Sequence, residues 1–291
     1  MNVQKPTFFI IGAPKCGTTS LAKWLAGHPE IFMSAPKEPH YFNTDMANRN
    51  LPSWDEYISL FRNVGHEHKA VGEASTWYLY SLDAVAAIEQ CFDAPRYIVM
   101  TRDPVEMAQS LYQHNVRHLH EDAESFEAAW ALQEKRAEGK HISATCREPA
   151  FLKYQQACAL GSMLERLLDT VPNHRVLHIP LEQIKENPQH EYLRTLRFLG
   201  VEDDSRRAFR AENEARMYKS RILQKALMIG GRMRAKMGIR KGFGLTRLNE
   251  SKREKAELSS DFFQELREAF SEERHKLRRI SEGNVQHDKG Y

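Results

Sequence analysis

The run Gly12-Ala13-Pro14-Lys15-Cys16-Gly17-Thr18-Thr19 follows directly on the apolar stretch Phe8-Phe9-Ile10-Ile11, and its residue types and spacing suit a phosphate cradle. Set against G-x-x-x-x-G-K-[ST], Gly12, Gly17 and Thr19 match, Thr18 stands at the lysine position, and a lysine comes earlier, at Lys15. A strand-to-helix turn of this kind aims backbone N–H groups and the positive end of a helix dipole at an anion, with or without that lysine. Its loss counts against ATP hydrolysis, because the lysine normally bridges the β- and γ-phosphates; Lys15 is placed instead to neutralise a terminal group lying against the turn. The clustered hydroxyls of Thr18, Thr19 and Ser20 set the run apart from a chance glycine-rich turn.

A second anion site is legible further on. Arg102 ends the apolar run Arg96–Thr101, at the strand end where ligands bind in open α/β sheets. Asp103-Pro104 opens a helix, since proline suits the first turn. Ser110, two helical turns on, is placed to donate a hydrogen bond to an anion held by the guanidinium. Taken alone, Arg102 is equally open to a salt bridge with Asp103 or another acid nearby; beside the first loop, phosphate is the favoured reading.

The elements that must position these residues follow from hydrophobic patterning. Short apolar runs alternating with helical patterns predict an α/β fold, a P-loop-like three-layer arrangement with a central parallel sheet flanked by helices. The expected strands are Thr7–Ile11, Lys69–Gly72, Arg96–Thr101 and Arg175–Ile179, joined by Ile31–Met33. Helices are expected over Thr18–Ala26, from Asp103-Pro104 onward, over Leu160–Leu168 and over His190–Leu199. A last helix, capped by Ser260 and Asp261, carries Phe262, Leu266 and Phe270 on one stripe. One domain over residues 1–291 is the simplest account, with a polar helical insertion or lid around 113–150 and a basic loop around 228–248.

Composition narrows the class. With 291 residues, 41% hydrophobic and 28% charged, the chain has ample apolar surface for a core. No stretch approaches the roughly 18 consecutive apolar residues of a membrane span, so no integral membrane segment is expected. Cleavage of a signal peptide would destroy the phosphate loop, so the expected location is the cytoplasm. Cys16, Cys91, Cys146 and Cys158 form no C-x-x-C pair, and His66 with His68 or His118 with His120 matches no metal spacing; neither a metal nor a disulfide framework is expected. Net charge is only +3, yet cationic residues far outnumber acidic ones between Arg206 and Lys255. That suggests an anionic partner, or simply a solvated helical face; a nucleic-acid partner is not expected.

Taken together, the motifs resemble those of the sulfotransferases that use 3′-phosphoadenosine 5′-phosphosulfate (PAPS), particularly bacterial members and heparan sulfate sulfotransferases. Pro14-Lys15-Cys16-Gly17-Thr18-Thr19-Ser20-Leu21 resembles their 5′-phosphosulfate loop, and Arg102-Asp103-Pro104 with Ser110 their 3′-phosphate motif. His28-Pro29 followed by Lys37-Glu38-Pro39-His40-Tyr41-Phe42 resembles the substrate-side motif, and Phe198-Leu199-Gly200 after Glu182 and Pro188 the closing strand-loop-helix. The resemblance implies that Lys15, Cys16, Gly17, Thr18, Thr19 and Ser20 hold the 5′ end of the donor and that Arg102 and Ser110 hold its 3′-phosphate. Lys241-Gly242, after Arg240, resembles a basic element that folds over that phosphate.

The same likeness makes Glu38 the general base, with His40 as rival base or orienting partner; Lys15 would stabilise the leaving phosphate. The plain alternatives are a surface ion pair of Glu38 with Lys37 and a core histidine packed beside Tyr41 and Phe42. Gly72-Glu73-Ala74-Ser75-Thr76 resembles a strand-end motif that often reads Ser-Pro, which makes Glu73 and Ser75 candidates to line the acceptor site; Thr76 replaces the proline, and Asn43 stands where relatives often carry Asp. No metal is required by this scheme. The acceptor is a hydroxyl, on a carbohydrate or glycoconjugate by the resemblance, with a small-molecule or lipid alcohol as the alternative. Two other classes stay open: an ATP-dependent small-molecule kinase, and a non-catalytic binder of adenine nucleotides or polyanions.

Overall fold

The computed structural model describes residues 5–210 and 257–288, together with 216–218, 223, 226–227, 230 and 250–252. Strands β1 (Phe8–Gly12), β2 (Ile31–Met33), β3 (Ala70–Ala74), β4 (Arg96–Thr101) and β5 (Val176–Pro180) form one sheet in the order β2-β3-β1-β4-β5. Every neighbouring pair is parallel. Helices α1 (Thr18–Ala26), α2 (Trp54–Ser59), α3 (Ala84–Cys91), α4 (Pro104–Arg117), α5 (Phe126–Trp130), α6 (Gln133–Ala137), α7 (Tyr154–Ala157), α8 (Leu160–Thr170), α9 (Leu181–Glu186), α10 (Pro188–Leu199), α11 (Ser260–Ala269) and α12 (Ser271–Asp288) connect and flank the strands. The fold is the expected α/β class, and the five strands fall where the apolar runs lie, within two residues at each end.

A sheet covered on both faces needs strands that are apolar throughout rather than alternately. Phe8, Phe9, Ile10 and Ile11 of β1 and Tyr97, Ile98, Val99 and Met100 of β4 are all fully buried. The strand order has a further consequence. From β1 the chain crosses to the β2–β3 side, and from β4 it crosses to β5, so the carboxyl ends of β1 and β4 flank the topological switch point where ligands bind in open α/β sheets. The register shifts after Ile10 so that Gly12 pairs with Val99, and just beyond it the Ala13 N–H donates to the Met100 carbonyl at 2.7 Å.

The segment expected as an insertion is built around a buried ion pair. Arg136 of α6 donates to both carboxylate oxygens of Glu121, at 2.7 and 2.8 Å, and both side chains are wholly buried. Tyr154 Oη donates to the same carboxylate at 2.8 Å, as do the N–H groups of Asp122 and Ala123 at 2.9 Å. Arg136 also donates to the carbonyls of Ala129, His141 and Leu152. One guanidinium and one carboxylate therefore organise the chain from the end of α4 to α7. The carboxy-terminal helices brace the same segment: Trp130 Nε1 donates to Glu265 at 2.9 Å, and Phe262, Leu266 and Phe270 are buried. The side-chain cap of α11 is Ser259, which accepts from Phe262 N–H at 3.3 Å, one residue before the expected Ser260. Residues 216–218 pair antiparallel with 250–252; of the basic loop expected around 228–248, only residue 230 is described.

Removing one member of a buried pair leaves the other charge unmatched, at a cost of about 3–5 kcal/mol. Glu121→Ala should lose that much stability in urea denaturation; a loss below about 1 kcal/mol would show that the pair does not organise the insertion.

Candidate active site

The phosphate loop is shaped by Gly17, which sits at φ 89° immediately before α1. A Cβ there would lie 2.8 Å from Leu181 Cδ1 and 3.2 Å from Met100 Cε, so conformation and space both demand glycine. No side chain caps α1, which leaves the amino-terminal end of this helix to face the cleft. Lys15 is itself left-handed, at φ 65°. Burial, with the nearby charges of Arg117 and Arg102, lowers the pKa of its ammonium, and an anion among these three cations would relieve their mutual repulsion. Cys16 is fully buried with its thiol against Pro14 and Met107, and burial pushes that thiol up to about 12. Only its backbone belongs to the cradle.

Arg102 does form a salt bridge with a nearby acid. Its Nη2 pairs with Glu106 and its Nη1 donates to the Lys15 carbonyl at 3.2 Å, while its Nε is buried without a hydrogen-bond partner. Asp103 is not its salt-bridge partner. Asp103 caps α4, accepting from Val105 and Glu106 N–H at 3.0 and 3.2 Å, and its other oxygen holds Arg274 Nε at 2.9 Å. Ser110 lies two turns along α4 and lines the same cleft as Arg102, Lys15, Thr18, Thr19 and Ser20.

Glu38 and His40 face that cleft from the loop after β2, at φ 64° and 46°. Non-glycine residues hold such a backbone only when their surroundings over-determine it, and here the end of β3 does so. Glu38 N–H donates to the Ala74 carbonyl at 2.9 Å and His40 N–H to Ser75 Oγ at 3.0 Å. Tyr78 Oη accepts from the N–H groups of Tyr41 and Phe42, at 2.8 and 3.2 Å. The Glu38 carboxylate accepts from Lys37 Nζ at 2.8 Å and from Thr76 Oγ1 at 3.3 Å, and His40 Nε2 lies 3.3 Å from its second oxygen. Burial pushes the carboxyl up, but the His40 contact and the charge of Lys37 outweigh it and hold Glu38 well below the usual range. His40 is buried, with Nδ1 lacking a hydrogen-bond partner.

Glu73 and Ser75 lie beneath the cleft wall, fully buried, and do not line it. Ser75 supports the His40 backbone. Glu73 is a core carboxyl that burial pushes up to about 7; the hydroxyls of Tyr57, Ser75 and Tyr78 draw it partly back, although none closes on an oxygen with hydrogen-bond geometry. Asn43 is buried as well and donates to Asn48 at 2.6 Å. Lys241 and Gly242 lie outside the described residues. Sequence reasoning did not assign His114 or Arg117 to the site. Both line the cleft with Ser110, and the spacing 110, 114, 117 on one helix is the signal that points to them. Lys37, part of the substrate-side motif, forms the ion pair with Glu38 that the plain alternative expects. Among the described residues, no group of three or more His, Cys, Asp or Glu is placed to hold a metal ion, and no helix is long and apolar enough to cross a membrane.

The cleft encloses about 1340 Å³, more than the roughly 300–1,000 Å³ of a typical small-ligand pocket. It has room for a nucleotide and a second molecule. A parallel sheet with a phosphate loop at its switch point defines a P-loop-like α/β protein. The Sulfotransferase domain family matches residues 5–277, and the chain belongs to that family.

The chain is 28% identical over 206 residues to human bifunctional heparan sulfate N-deacetylase/N-sulfotransferase 3, covering 67% of this chain and 22% of that protein. It is 38% identical over 79 residues to rat carbohydrate sulfotransferase 15, covering 24% of this chain and 14% of the relative. It thus spans about a quarter or less of the length of the curated relatives it matches. Among solved structures it is similar to a sulfotransferase from Alicyclobacillus acidocaldarius, with a TM-score of 0.64 and 28% identity, over 84% of this chain and 100% of that one.

The buried Glu73 makes a signed prediction. Its carboxyl rises from 4.5 to about 7 on folding, so between those values the folded state binds more protons than the unfolded state, and stability falls as pH rises. The cost is absent below 4.5 and complete above 7. Glu73→Gln should therefore be more stable than the parent at pH 8, by up to about 3 kcal/mol, and indistinguishable at pH 4. His178, which burial pushes down to about 4, slopes the opposite way but does so in both proteins. Thermal melts across that pH range test this; parallel curves would contradict it.

Proposed function

We propose that the chain transfers a sulfuryl group from PAPS to an acceptor hydroxyl by in-line displacement. The observation that carries this reading is the meeting of two anion sites and a carboxylate in one cleft. The phosphate loop with Lys15, the Arg102–Ser110 strand-to-helix turn, and Glu38 all face the space at the β1–β4 switch point. Three features of the chain fit a doubly anionic nucleotide: the uncapped start of α1, the buried unpartnered Nε of Arg102, and the cations converging on Lys15.

PAPS would supply the activated sulfuryl group; the protein's part is to position reactants and stabilise charge. The phosphate loop and Lys15 would hold the 5′ end, with Lys15 compensating charge on the leaving phosphate, and Arg102 with Ser110 the 3′-phosphate. Glu38 takes the acceptor's proton. Its carboxylate is ionised at neutral pH, and it is aimed into the cleft. His40 is the weaker candidate because its Nε2 is engaged with Glu38 and its other ring nitrogen is buried; its part is to orient the carboxylate.

A carbohydrate or glycoconjugate acceptor is supported by the relatives named for heparan sulfate and for carbohydrate. The test is transfer of ³⁵S from labelled PAPS across a panel of glycans, phenols and lipid alcohols. The wild type should label a glycan, and Glu38→Gln should lower kcat by about 10²–10⁴-fold. Label on phenols or lipids alone would reassign the acceptor. An undiminished Glu38→Gln enzyme would move the base to His40, and no transfer to any class would remove the activity.

A further inference from the structure

The lysine missing from position 18 of the phosphate loop has a counterpart in space. Lys37 reaches across from the facing loop, and its Nζ lies 3.5 Å from Thr18 Oγ1, the side chain that occupies the lysine position of G-x-x-x-x-G-K-[ST]. The same ammonium is 2.8 Å from Glu38 Oε1, so one cation bridges the rim of the phosphate loop and the base. Its side chain is a quarter exposed (25%), and that of Glu38 is more so (38%), which leaves Lys37 free to change partners without unpacking the core.

We propose that Lys37 is a further catalytic residue, which binds the oxygens of the transferring sulfuryl group and, in leaving Glu38 for the donor, frees that carboxylate to take the acceptor's proton. The inference rests on the donor reading above. In the balanced step the acceptor oxygen attacks sulfur as the bond from sulfur to the 5′-phosphate oxygen breaks. The electron pair of that bond leaves on the phosphate, giving 3′-phosphoadenosine 5′-phosphate (PAP). The acceptor's proton passes to Glu38, and Lys37 remains an ammonium throughout.

The electrostatics favour this order of events. A donor brings two kinds of anionic group to the mouth of the loop, whereas Glu38 offers Lys37 a single carboxylate that His40 also holds. Glu38 is faced by Lys37 and His40 from its own loop, by Lys15 from the phosphate loop and by His114 from α4. Of these, Lys37 is the cation in direct contact that can turn towards the phosphate loop. The exchange makes base strength depend on a seated donor, which discourages activation of a hydroxyl when there is nothing to transfer.

Calorimetry with PAPS and with PAP, in the absence of acceptor, separates this role from a structural one. Wild type that fails to bind PAP overturns the donor reading and this one with it. Where PAP binds, Lys37→Met should weaken PAPS about tenfold and PAP no more than about threefold, since one charge-assisted contact is lost only on the sulfuryl side. Lys37→Arg should recover part of the PAPS affinity. The acidic limb of kcat/KM should move to higher pH in Lys37→Met, because a cation that holds the free enzyme's Glu38 ionised is gone. Equal losses for PAPS and PAP, or no loss, with an unmoved acidic limb, would overturn the proposal while leaving the donor reading intact.

Discussion

Everything at the site depends on two buried parallel strands ending side by side. β1 and β4 pair in register from Phe8 to Ile10 and shift before Gly12, and their outgoing loops are tied again beyond the sheet, by Ala13 N–H on the Met100 carbonyl and by Arg102 on the Lys15 carbonyl. The second contact makes Arg102 a structural clamp on the phosphate loop. Because the strands are apolar on both faces, they cannot slip without exposing a run of Phe and Ile on one and Tyr, Ile, Val and Met on the other. The spacing between the two outgoing loops is therefore set by the core, and the loops add only their local shape.

The Glu38 side of the cleft is organised differently. There the hydrophobic core is not the direct support; a set of hydrogen bonds from the end of β3 holds Glu38 and His40 in a backbone they would not adopt alone. Ser75 and Tyr78 hold backbone groups of the loop, and Thr76 reaches the Glu38 carboxylate itself. Glu73, one layer deeper, is a liability in stability terms. A carboxyl buried this way survives in a fold when the surrounding packing outweighs its cost, and Tyr57 and Tyr78 supply much of that packing. The segment between α4 and α7 repeats the pattern on a larger scale: Glu121 and Arg136 fix its centre, and α11 packs against it.

Much of this was legible in the residues. Continuous apolar runs announce buried parallel strands, and a glycine-rich turn after the first of them announces a phosphate cradle; both follow from local rules that tertiary context reinforces here. What escaped is what depends on contacts between distant segments. Glu73 and Ser75 read as cleft-lining because Gly72–Thr76 resembles a strand-end motif, but in a doubly covered sheet a likeness of motif says nothing about which side chains reach solvent. Arg136 and Glu121, fifteen positions apart across two helices, carry no spacing signal for a buried pair. The meeting of Lys37 with Thr18 follows from the way β2 and β1 place their loops, and only the folded chain shows it. The cap of α11 moved by one residue because Ser259 and Ser260 are equivalent to any sequence rule.

The claim that most needs testing is that the cleft reads a 3′-phosphate on an adenine nucleotide. Calorimetric titration of the wild-type chain with PAP, beside ADP and beside ATP with Mg²⁺, addresses it directly. Tight PAP binding is expected and, for the nucleotides that lack the 3′-phosphate, affinity lower by about tenfold or more, the size of one lost charge-assisted contact to Arg102. Equal affinity for PAP and ADP, or a preference for ATP with Mg²⁺, would contradict it.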